Sequence, residues 1–203
     1  MKRTQSEDYE IIIEPHKSWL YVDWKGLLHY RDLLFLLVRR DFVAKYKQTI
    51  LGPAWFILQP LLMTVVFTII FGKVTKISTQ GLPPVLFYMC GLLAWTYCSQ
   101  CFTAVSDSLI ANANLFSKVY FPRLIIPLSI TLSNLMTFGL QLATFLGFYF
   151  YYKIFTSASS SIHPNEFLYF LPIFILQTAA IGLGVGLWIA ALTVRYRDFY
   201  HLI

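Results

Sequence analysis

Apolar residues along this chain fall into four long runs that contain no charged side chain. The runs cover residues 48–72, 77–106, 124–152 and 167–194. A helix needs about 20 mostly apolar residues to cross the roughly 30 Å of hydrocarbon in a bilayer. Inside the bilayer the backbone satisfies its hydrogen bonds only in helices or closed barrels. Because barrel strands would alternate over about 10 residues, the unbroken runs predict an all-α polytopic helical bundle with four spans.

Composition and charge agree with a membrane protein and predict its orientation. Apolar residues make up 57% of the chain and charged residues only 13%, against about 25% charged in soluble domains. The chain has sixteen Lys and Arg residues. Only two of them, Lys73 and Lys76, lie between the first and second runs, and only Lys153 lies between the third and fourth runs. By the positive-inside rule, the N-terminus and the loop 107–123 are therefore expected to be cytoplasmic. The Lys and Arg residues of the cytoplasmic segments account for the net charge of +6, so no separate basic face is expected to bind a nucleic acid.

Three segments are expected along the chain. A polar cytoplasmic arm, 1–23, includes a short apolar run, 11–13, that indicates a short strand or an ordered arm. Apolar residues recur at helical spacing within 24–47, which predicts an amphipathic helix. We expect this helix to lie in the membrane interface among membrane lipids. The alternative is a soluble helix docked on another protein, and one helix can do both. The transmembrane domain, 48–203, follows, with spans at about 52–72, 84–106, 124–152 and 167–194.

Glycine and proline mark the breaks between these segments. Gly52 and Pro53 interrupt the chain before the first span, and Pro60 inside that span predicts a kink near Phe56. In the loop 107–123, a short amphipathic helix is expected over about 114–121, ended by Pro122. Such a helix is a docking point for a cytoplasmic partner, and a merely solvated turn is the alternative.

Small residues in the fourth span predict close helix packing. Gly186 is paired at four-residue spacing with Gly182 and Ala190, and Ala180 is paired with Gly184 in the same way. The pattern leaves open whether the neighbouring helix belongs to this chain or to another. Cys98 and Cys101 are expected to pack as small apolar residues, because no further ligands for a metal accompany them.

The chemistry that the spans lack also restricts the function. None of the four runs contains an ionisable side chain of the kind that couples transport to protons. No phosphate-binding loop is present either, and the histidines are scattered without the spacing of a metal site. No nucleophile is paired with a base, so no catalytic residue is expected. Energy for transport would therefore come from a partner.

Four motifs occur in order along the chain. They are Arg39-Arg40-Asp41 with Lys45-Tyr46-Lys47-Gln48 and the run 51–60; Gly91-Leu92-Leu93-Ala94-Trp95; the loop 112–123 with Ile126-Pro127-Leu128-Ser129; and Val194-Arg195-Tyr196-Arg197-Asp198. Taken together they resemble the ABC-2-type export permeases that serve O-antigen, capsule and teichoic acid export, over about residues 31–203.

The resemblance implies a permease of the inner membrane rather than an enzyme. It implies a homodimer whose subunits each have six spans, so we expect the domain 48–203 to be truncated at its C-terminus. Two separate ABC ATPase subunits would bind ATP and Mg²⁺, and no cofactor or metal is expected in this chain. The implied cargo is a lipid-linked polysaccharide of the O-antigen kind, moved outward from the cytoplasm.

The resemblance also implies roles for particular residues. The entrance to the export path would be flanked by Leu51, Gly52 and Pro53, and the helix 24–45 would share in docking the ATPase. Arginine geometry suits phosphate oxygens, so a lipid diphosphate would meet Arg39, Arg40, Lys118 and Arg123. The segment that couples to the ATPase would be Asn114, Leu115, Phe116, Ser117, Lys118, Val119, Tyr120 and Phe121.

Aromatic residues reach 18% of the chain and suit a carbohydrate path, because sugar rings stack on aromatic faces. The alternative for each of them is an ordinary place facing lipid or in the interfacial belt. The expected lining positions are Tyr88, Trp95, Phe102, Phe138, Phe145 and Tyr149.

Other functions remain as alternatives to polysaccharide export. A related exporter of teichoic acid, capsule, lipid or drug would share the same motifs. A membrane-embedded glycosyl- or acyltransferase is disfavoured, because Asp107, Glu166 and Asp198 are isolated from any partner base. A purely structural scaffold is disfavoured because it would leave the loop motifs without a role.

Overall fold

The computed structural model describes residues 24–47, 49–79, 81–156 and 166–196. These residues form helices and connecting turns with no strand among them, which confirms the all-α prediction. Four helical stretches are long and apolar enough to cross a membrane: 52–74, 84–106, 125–155 and 168–195. The arm 1–23 with its expected strand, and Arg197-Asp198 of the last motif, lie outside the described residues.

The segment before the first span forms two helices where one was expected. They are α1, Trp24–His29, and α2, Arg31–Ala44, separated at Tyr30. Leu37 of α2 is buried in a cluster with Phe121 and Ile126, whereas Phe35 and Leu36 on its other side are exposed. Helix α2 therefore docks on its own chain through one face and leaves apolar side chains on the other face, as a helix at a membrane interface would.

The first span combines three helical geometries. A 3₁₀ turn, Gly52–Ala54, leads into helix α3, Trp55–Phe67, which continues as a π-helical segment, Thr68–Val74. Pro60 has no amide hydrogen, so the carbonyl of Phe56 in the first turn of α3 loses its usual partner. Thr68 Oγ1 donates to the carbonyl of Thr64 at 2.7 Å, and such back-bonding competes with the regular ladder where the π geometry begins.

The connection between the second and third spans is less regular than expected. Helix α4, Pro84–Ser106, is followed by the short helices α5, Ser108–Ala111, and α6, Ala113–Phe116. The expected helix over 114–121 is wrong in extent, because α6 ends at Phe116. Ser117 Oγ donates to the carbonyl of Asn114 and closes the turn there, and Phe121 is drawn into the cluster with Leu37.

Helix α7, Ile125–Phe155, is the centre of the bundle and packs against α2, α3, α4 and the last span. Its 31 residues extend over about 46 Å at 1.5 Å per residue, more than the hydrocarbon thickness. All ten buried residues of α7 lie in its first 17 residues, between Ile125 and Gln141. Its buried side includes hydroxyl and amide side chains. The absence of charge in this run did not predict a polar buried face.

The last span, helix α8, Leu171–Arg195, packs closely on α4. A Cβ atom on Gly182 would lie 2.9 Å from Cβ of Cys101, so the small-residue contact is made within this chain. Cys101 is fully buried in this contact, as expected of a small apolar residue. Ala180 and Gly184, the other predicted pair, are exposed on α8, and no atom lies within 4 Å of a Cβ added to Gly184.

Candidate functional site

A polar cavity of about 650 Å³ opens at the end of the bundle where α3 begins and α4 ends. Its wall comes from α3, α4, α7 and the segment between α2 and α3. Most of the lining side chains can form hydrogen bonds, although three of the contributing helices are spans. The lining residues are Lys45, Thr49, Trp55, Phe56, Gln59, Ser99, Gln100, Thr103, Ala104, Asn134, Thr137 and Gln141.

One face of α7 supplies the deepest polar wall of this cavity. Asn134, Thr137 and Gln141 are spaced three and four residues apart, so they lie on the same side of the helix. They are 3%, 3% and 5% exposed, respectively. Gln141 lies about 24 Å along the axis from the start of α7 at Ile125, so the polar surface reaches well into the span. Polar side chains are costly at this depth unless they are satisfied, which indicates a functional surface.

Lys45 lies at the mouth of the cavity and provides its cation. Its Nζ donates a hydrogen bond to Oδ1 of Asn134 at 2.6 Å. Burial of the ammonium group lowers the pKa of Lys45 below its ordinary value, and the nearby Asp41 carboxylate opposes this effect. Asp41 is itself engaged by Arg40, whose Nη2 lies 2.8 Å from Oδ1. Within the described ranges, Lys45 has no carboxylate within salt-bridge distance.

Asn134 has spare hydrogen-bonding capacity. Its oxygen accepts from Lys45, but its buried Nδ2 has no hydrogen-bond partner among the described residues. A buried donor left without a partner costs about 1–3 kcal/mol. The Cys101 thiol beside this amide is only a weak acceptor. The amide therefore favours a ligand that carries acceptor oxygens and reaches it beside the Lys45 ammonium.

The expected entrance residues lie beside this mouth. Gly52 adopts a φ of +53°, in the left-handed region that favours glycine, and Pro53 follows at the start of the 3₁₀ turn. Thr49 and Trp55, on either side of the entrance loop 51–53, line the cavity. The structure therefore places Leu51, Gly52 and Pro53 next to the polar cavity without making them part of its wall.

The expected coupling segment, 114–121, divides into an anchored part and an exposed part. Phe121 is 5% exposed, and its ring stacks on Phe116 at 5.5 Å between centroids. Leu115 is half-buried in the same cluster. The exposed members, which we call the coupling surface, are Asn114, Ser117, Lys118, Val119 and Tyr120.

The four residues expected to meet a diphosphate lie on two elements that pack together. Arg39 and Arg40 are near the end of α2, whereas Lys118 and Arg123 lie in the connection before α7, and all four are exposed. Arg40 is paired with Asp41, as described above. These cations lie on the surface of the chain, and none of them lines the polar cavity.

The six aromatic residues expected to line a glycan path do not form one surface. Four of them, Tyr88, Trp95, Phe145 and Tyr149, line a second cavity of about 820 Å³ whose wall is mostly apolar. Phe138 packs in the core with its ring 4.8 Å from that of Tyr97, and with Phe145 it also lines a smaller cavity of about 380 Å³. Phe102 is half-buried on α4 and lines neither cavity.

The uncharged polar residues of the spans were missed by sequence reasoning, which looked for ionisable groups and aromatic rings. A signal was present, because Asn134, Thr137 and Gln141 recur at helical spacing within a charge-free run. The contribution of Lys45 carried no such signal, since it lies in a basic segment and reaches Asn134 only through the fold.

Comparison with known proteins agrees with the geometry. The family described as "ABC-2 type transporter" matches residues 32–203. An O-antigen export system permease protein RfbA of Myxococcus xanthus is 29% identical over 180 residues, covering 88% of this chain and 65% of the relative. A protein of the same description from Klebsiella pneumoniae is 27% identical over 172 residues, covering 85% of this chain and 63% of the relative.

The chain thus spans somewhat less than two thirds of the length of these curated relatives. The family match covers most of the chain and includes all four apolar spans, the short helices between the second and third spans, and most of α2. The chain is therefore a multi-pass membrane protein that belongs to the ABC-2 type transporter family.

Proposed function

We propose that this chain is the membrane-spanning permease part of an ATP-driven exporter that carries a lipid-linked polysaccharide outward across the inner membrane. The observation that carries the proposal is the polar cavity between α3, α4 and α7. Sugar hydroxyls need hydrogen-bonding partners on leaving water, and the glutamine, asparagine, serine and threonine side chains of the cavity supply them within a span. The relatives named as O-antigen export permeases support a cargo of the O-antigen kind.

The energy for this export would come from two separate ATPase subunits bound to a homodimer of the permease. ATP and Mg²⁺ would bind to those subunits. The coupling surface is suited to such a partner, because its exposed side chains stand on a buried anchor at Phe121. With the N-terminus cytoplasmic, α2, the coupling surface and the mouth of the polar cavity would all face the cytoplasm, where ATP is available.

Exposed cations would bring the anionic end of the cargo to this side of the membrane. We retain Arg39, Arg40, Lys118 and Arg123 as the surface that attracts the lipid diphosphate, since all four are exposed on neighbouring elements. Long-range attraction of this kind acts on the rate of encounter. Leu51, Gly52 and Pro53 would then flank the route from the surface into the cavity.

An ABC-2 exporter of another cargo (teichoic acid, capsule, lipid or drug) is the alternative. The second cavity favours a lipid or an apolar drug, because its wall is mostly apolar and includes Tyr88, Trp95, Phe145 and Tyr149. A polysaccharide exporter would use the same aromatic faces for stacking against sugar rings. The two functions therefore differ in which cavity the cargo needs.

The experiment is co-purification of the full-length protein with a co-expressed ABC ATPase of the same organism, followed by ATP hydrolysis and cargo transport in lipid vesicles. We expect a stable complex of two permeases and two ATPases that moves a lipid-linked glycan into the vesicle in an ATP-dependent manner. An ATPase variant without its phosphate-binding lysine is the control for transport. Purification of the permease alone, with no ATPase partner, would overturn the proposal, and transport of only uncharged lipids would support the alternative cargo.

A further inference from the structure

Aromatic rings hold the segment of chain that carries Lys45. Phe42 of α2, three residues before Lys45, stacks on Phe56 of α3 with 5.5 Å between ring centroids. Tyr46 contacts the same two rings, at 5.5 Å from Phe42 and 6.2 Å from Phe56. These three rings join the end of α2 to the start of α3 on either side of Lys45 in sequence. The lysine backbone is therefore held at the mouth of the polar cavity.

The ammonium of Lys45 is unusual in having an amide as its partner. It donates to Oδ1 of Asn134, and no carboxylate of the described residues lies within salt-bridge distance, although Asp41 is near enough to stabilise the charge. The Asp41 carboxylate is occupied elsewhere, since it accepts from Arg40 at 2.8 Å and from Ser129 Oγ at 3.4 Å. A cation with no carboxylate in direct contact is stabilised by an anion that enters the cavity.

The groups around Lys45 are donors of the kind that bind phosphate oxygens. The unpartnered Nδ2 of Asn134 is buried at the same place. Gln59 and Gln100 line the cavity nearby, and neither side chain forms a hydrogen bond with other described residues. Uncharged side chains deeper in the cavity, at Thr137 and Gln141, suit hydroxyl groups rather than charge. The cavity thus has a cationic mouth and a neutral polar interior.

We propose that Lys45 and Asn134 bind the phosphate groups at the junction between the lipid carrier and the first sugar, while the neutral interior receives that sugar. The identity of this ligand rests on the proposed export function; the anion site itself rests on the geometry. Arg39, Arg40, Lys118 and Arg123 are exposed, as Lys45 is, but only Lys45 among these five lines the cavity. Those residues attract the anion, and Lys45 fixes the position at which the glycan enters.

Binding of farnesyl diphosphate to the full-length protein in lipid nanodiscs tests the site without any transport. Farnesol, which has the same chain without the phosphates, is the ligand control, and phosphatidylglycerol is a competitor that represents an anionic lipid headgroup. Lys45→Met removes the charge at similar length, and Asn134→Asp supplies a counter-ion in the same shape. Lys47→Met is the matched control, because Lys47 lies two residues further on and is exposed like Lys45, but it does not line the cavity.

We expect Lys45→Met and Asn134→Asp each to weaken farnesyl diphosphate binding about tenfold or more, as for a lost hydrogen bond to a charged group. Lys45→Arg and Lys47→Met should bind within about threefold of the original protein, and farnesol binding should not respond to any of the changes. The unfolding temperature of each variant shows whether it is folded.

Three results would overturn the proposal. They are unchanged binding by folded Lys45→Met, an equal loss in Lys47→Met, and displacement of farnesyl diphosphate by an equal concentration of phosphatidylglycerol. The last result would assign the site to membrane headgroups. Failure of export with intact diphosphate binding would count against the proposed function and leave the anion site standing.

Discussion

Gly186 of α8 lies so close to Val105 of α4 that a Cβ atom added to the glycine would be 2.8 Å from Cβ of the valine. No real Cβ contact is that short, so any larger residue here must push the two helices apart. Because α4 also carries Ser99, Gln100 and Thr103, this contact fixes one wall of the polar cavity.

Gly186→Val is expected to destabilise the fold by about 1–3 kcal/mol, as overpacking does in a closely packed contact. Thermal unfolding in detergent measures the effect. The matched control is Gly184→Val on the same helix, where no atom lies within 4 Å of the added Cβ. A change of at most about 0.5 kcal/mol is expected there. Equal destabilisation by both variants would contradict the close α4–α8 contact.

Replacing the polar wall of α7 should slow transport without unfolding the protein. Thr137→Val and Gln141→Leu each remove hydrogen-bonding groups that are almost fully buried. Each lost bond to a sugar hydroxyl is worth about 0.5–1.5 kcal/mol, which corresponds to a two- to tenfold slower ATP-dependent export in vesicles.

The control for this prediction is Thr144→Val. Thr144 is on the same helix, its hydroxyl donates to the carbonyl of Leu140 at 3.0 Å, and it does not line the cavity. Export should continue at the original rate in this variant. If Thr144→Val slows export as much as Thr137→Val, the cavity is not the path of the cargo.

Alanine substitutions in the segment 114–121 should affect ATPase binding where the side chain is exposed and stability where it is buried. Tyr120 is 73% exposed, so Tyr120→Ala should leave stability unchanged and weaken ATPase binding about tenfold, as for an exposed aromatic anchor of an interface. Phe121→Ala should instead destabilise the protein by about 3–5 kcal/mol, because Phe121 is buried.

Co-purification with the ATPase and thermal unfolding separate the two effects. Tyr169→Ala is the control, since Tyr169 is a highly exposed tyrosine in the 3₁₀ turn before α8, at the far end of the bundle. A loss of ATPase binding in Tyr169→Ala, or none in Tyr120→Ala, would show that the partner docks elsewhere.

Neutralising the exposed arginines of α2 should reduce export at low cargo concentration. In Arg39→Gln with Arg40→Gln, the encounter of the diphosphate with the surface slows, and the loss becomes smaller at high ionic strength. Arg31→Gln is the control, because Arg31 is an exposed arginine near the opposite end of α2. Full export by the double variant at low salt would show that these arginines do not meet the cargo.

Diphosphate binding should weaken as pH rises toward and beyond the lowered pKa of Lys45. Burial lowers this pKa from the ordinary lysine value of 10.5, so the ammonium loses its proton at a lower pH than a free lysine does. The stability of the unliganded protein should change in the opposite direction. Between the lowered pKa and about 10.5 the unfolded chain holds more protons on Lys45 than the folded chain does, so the free energy of unfolding rises with pH in this range.

Farnesyl diphosphate binding as a function of pH measures this effect, and Lys45→Arg should remove it because arginine keeps its charge. The Asp41 carboxylate and the Cys101 thiol are the other titratable groups acting on the ammonium, so Cys101→Ala is a necessary second control. The same pH dependence in Lys45→Arg would assign the titration to another group.

Much of the fold follows from the sequence, because the bilayer permits few solutions. Four charge-free runs longer than a span can only be helices, and their ends in the structure differ from the predicted ends by a few residues. The break at Gly52 and Pro53 was likewise readable, since a left-handed φ at the start of a helix is a local requirement. Local irregularities were harder to predict from the sequence. The π-helical segment 68–74 and the early end of α6 depend on which side chains donate hydrogen bonds to backbone carbonyls.

The sequence by itself determined the class of the protein, its spans and its family resemblance, because hydrophobicity and motifs are properties of short segments. Only the tertiary structure decided which neighbour the glycines of α8 contact, and which half of the coupling segment is exposed. It alone brought Lys45 to Asn134, 2.6 Å apart although 89 positions separate them in sequence. A polar cavity in a bundle depends on the rotation of each helix about its axis, which packing between distant segments sets and no single segment encodes.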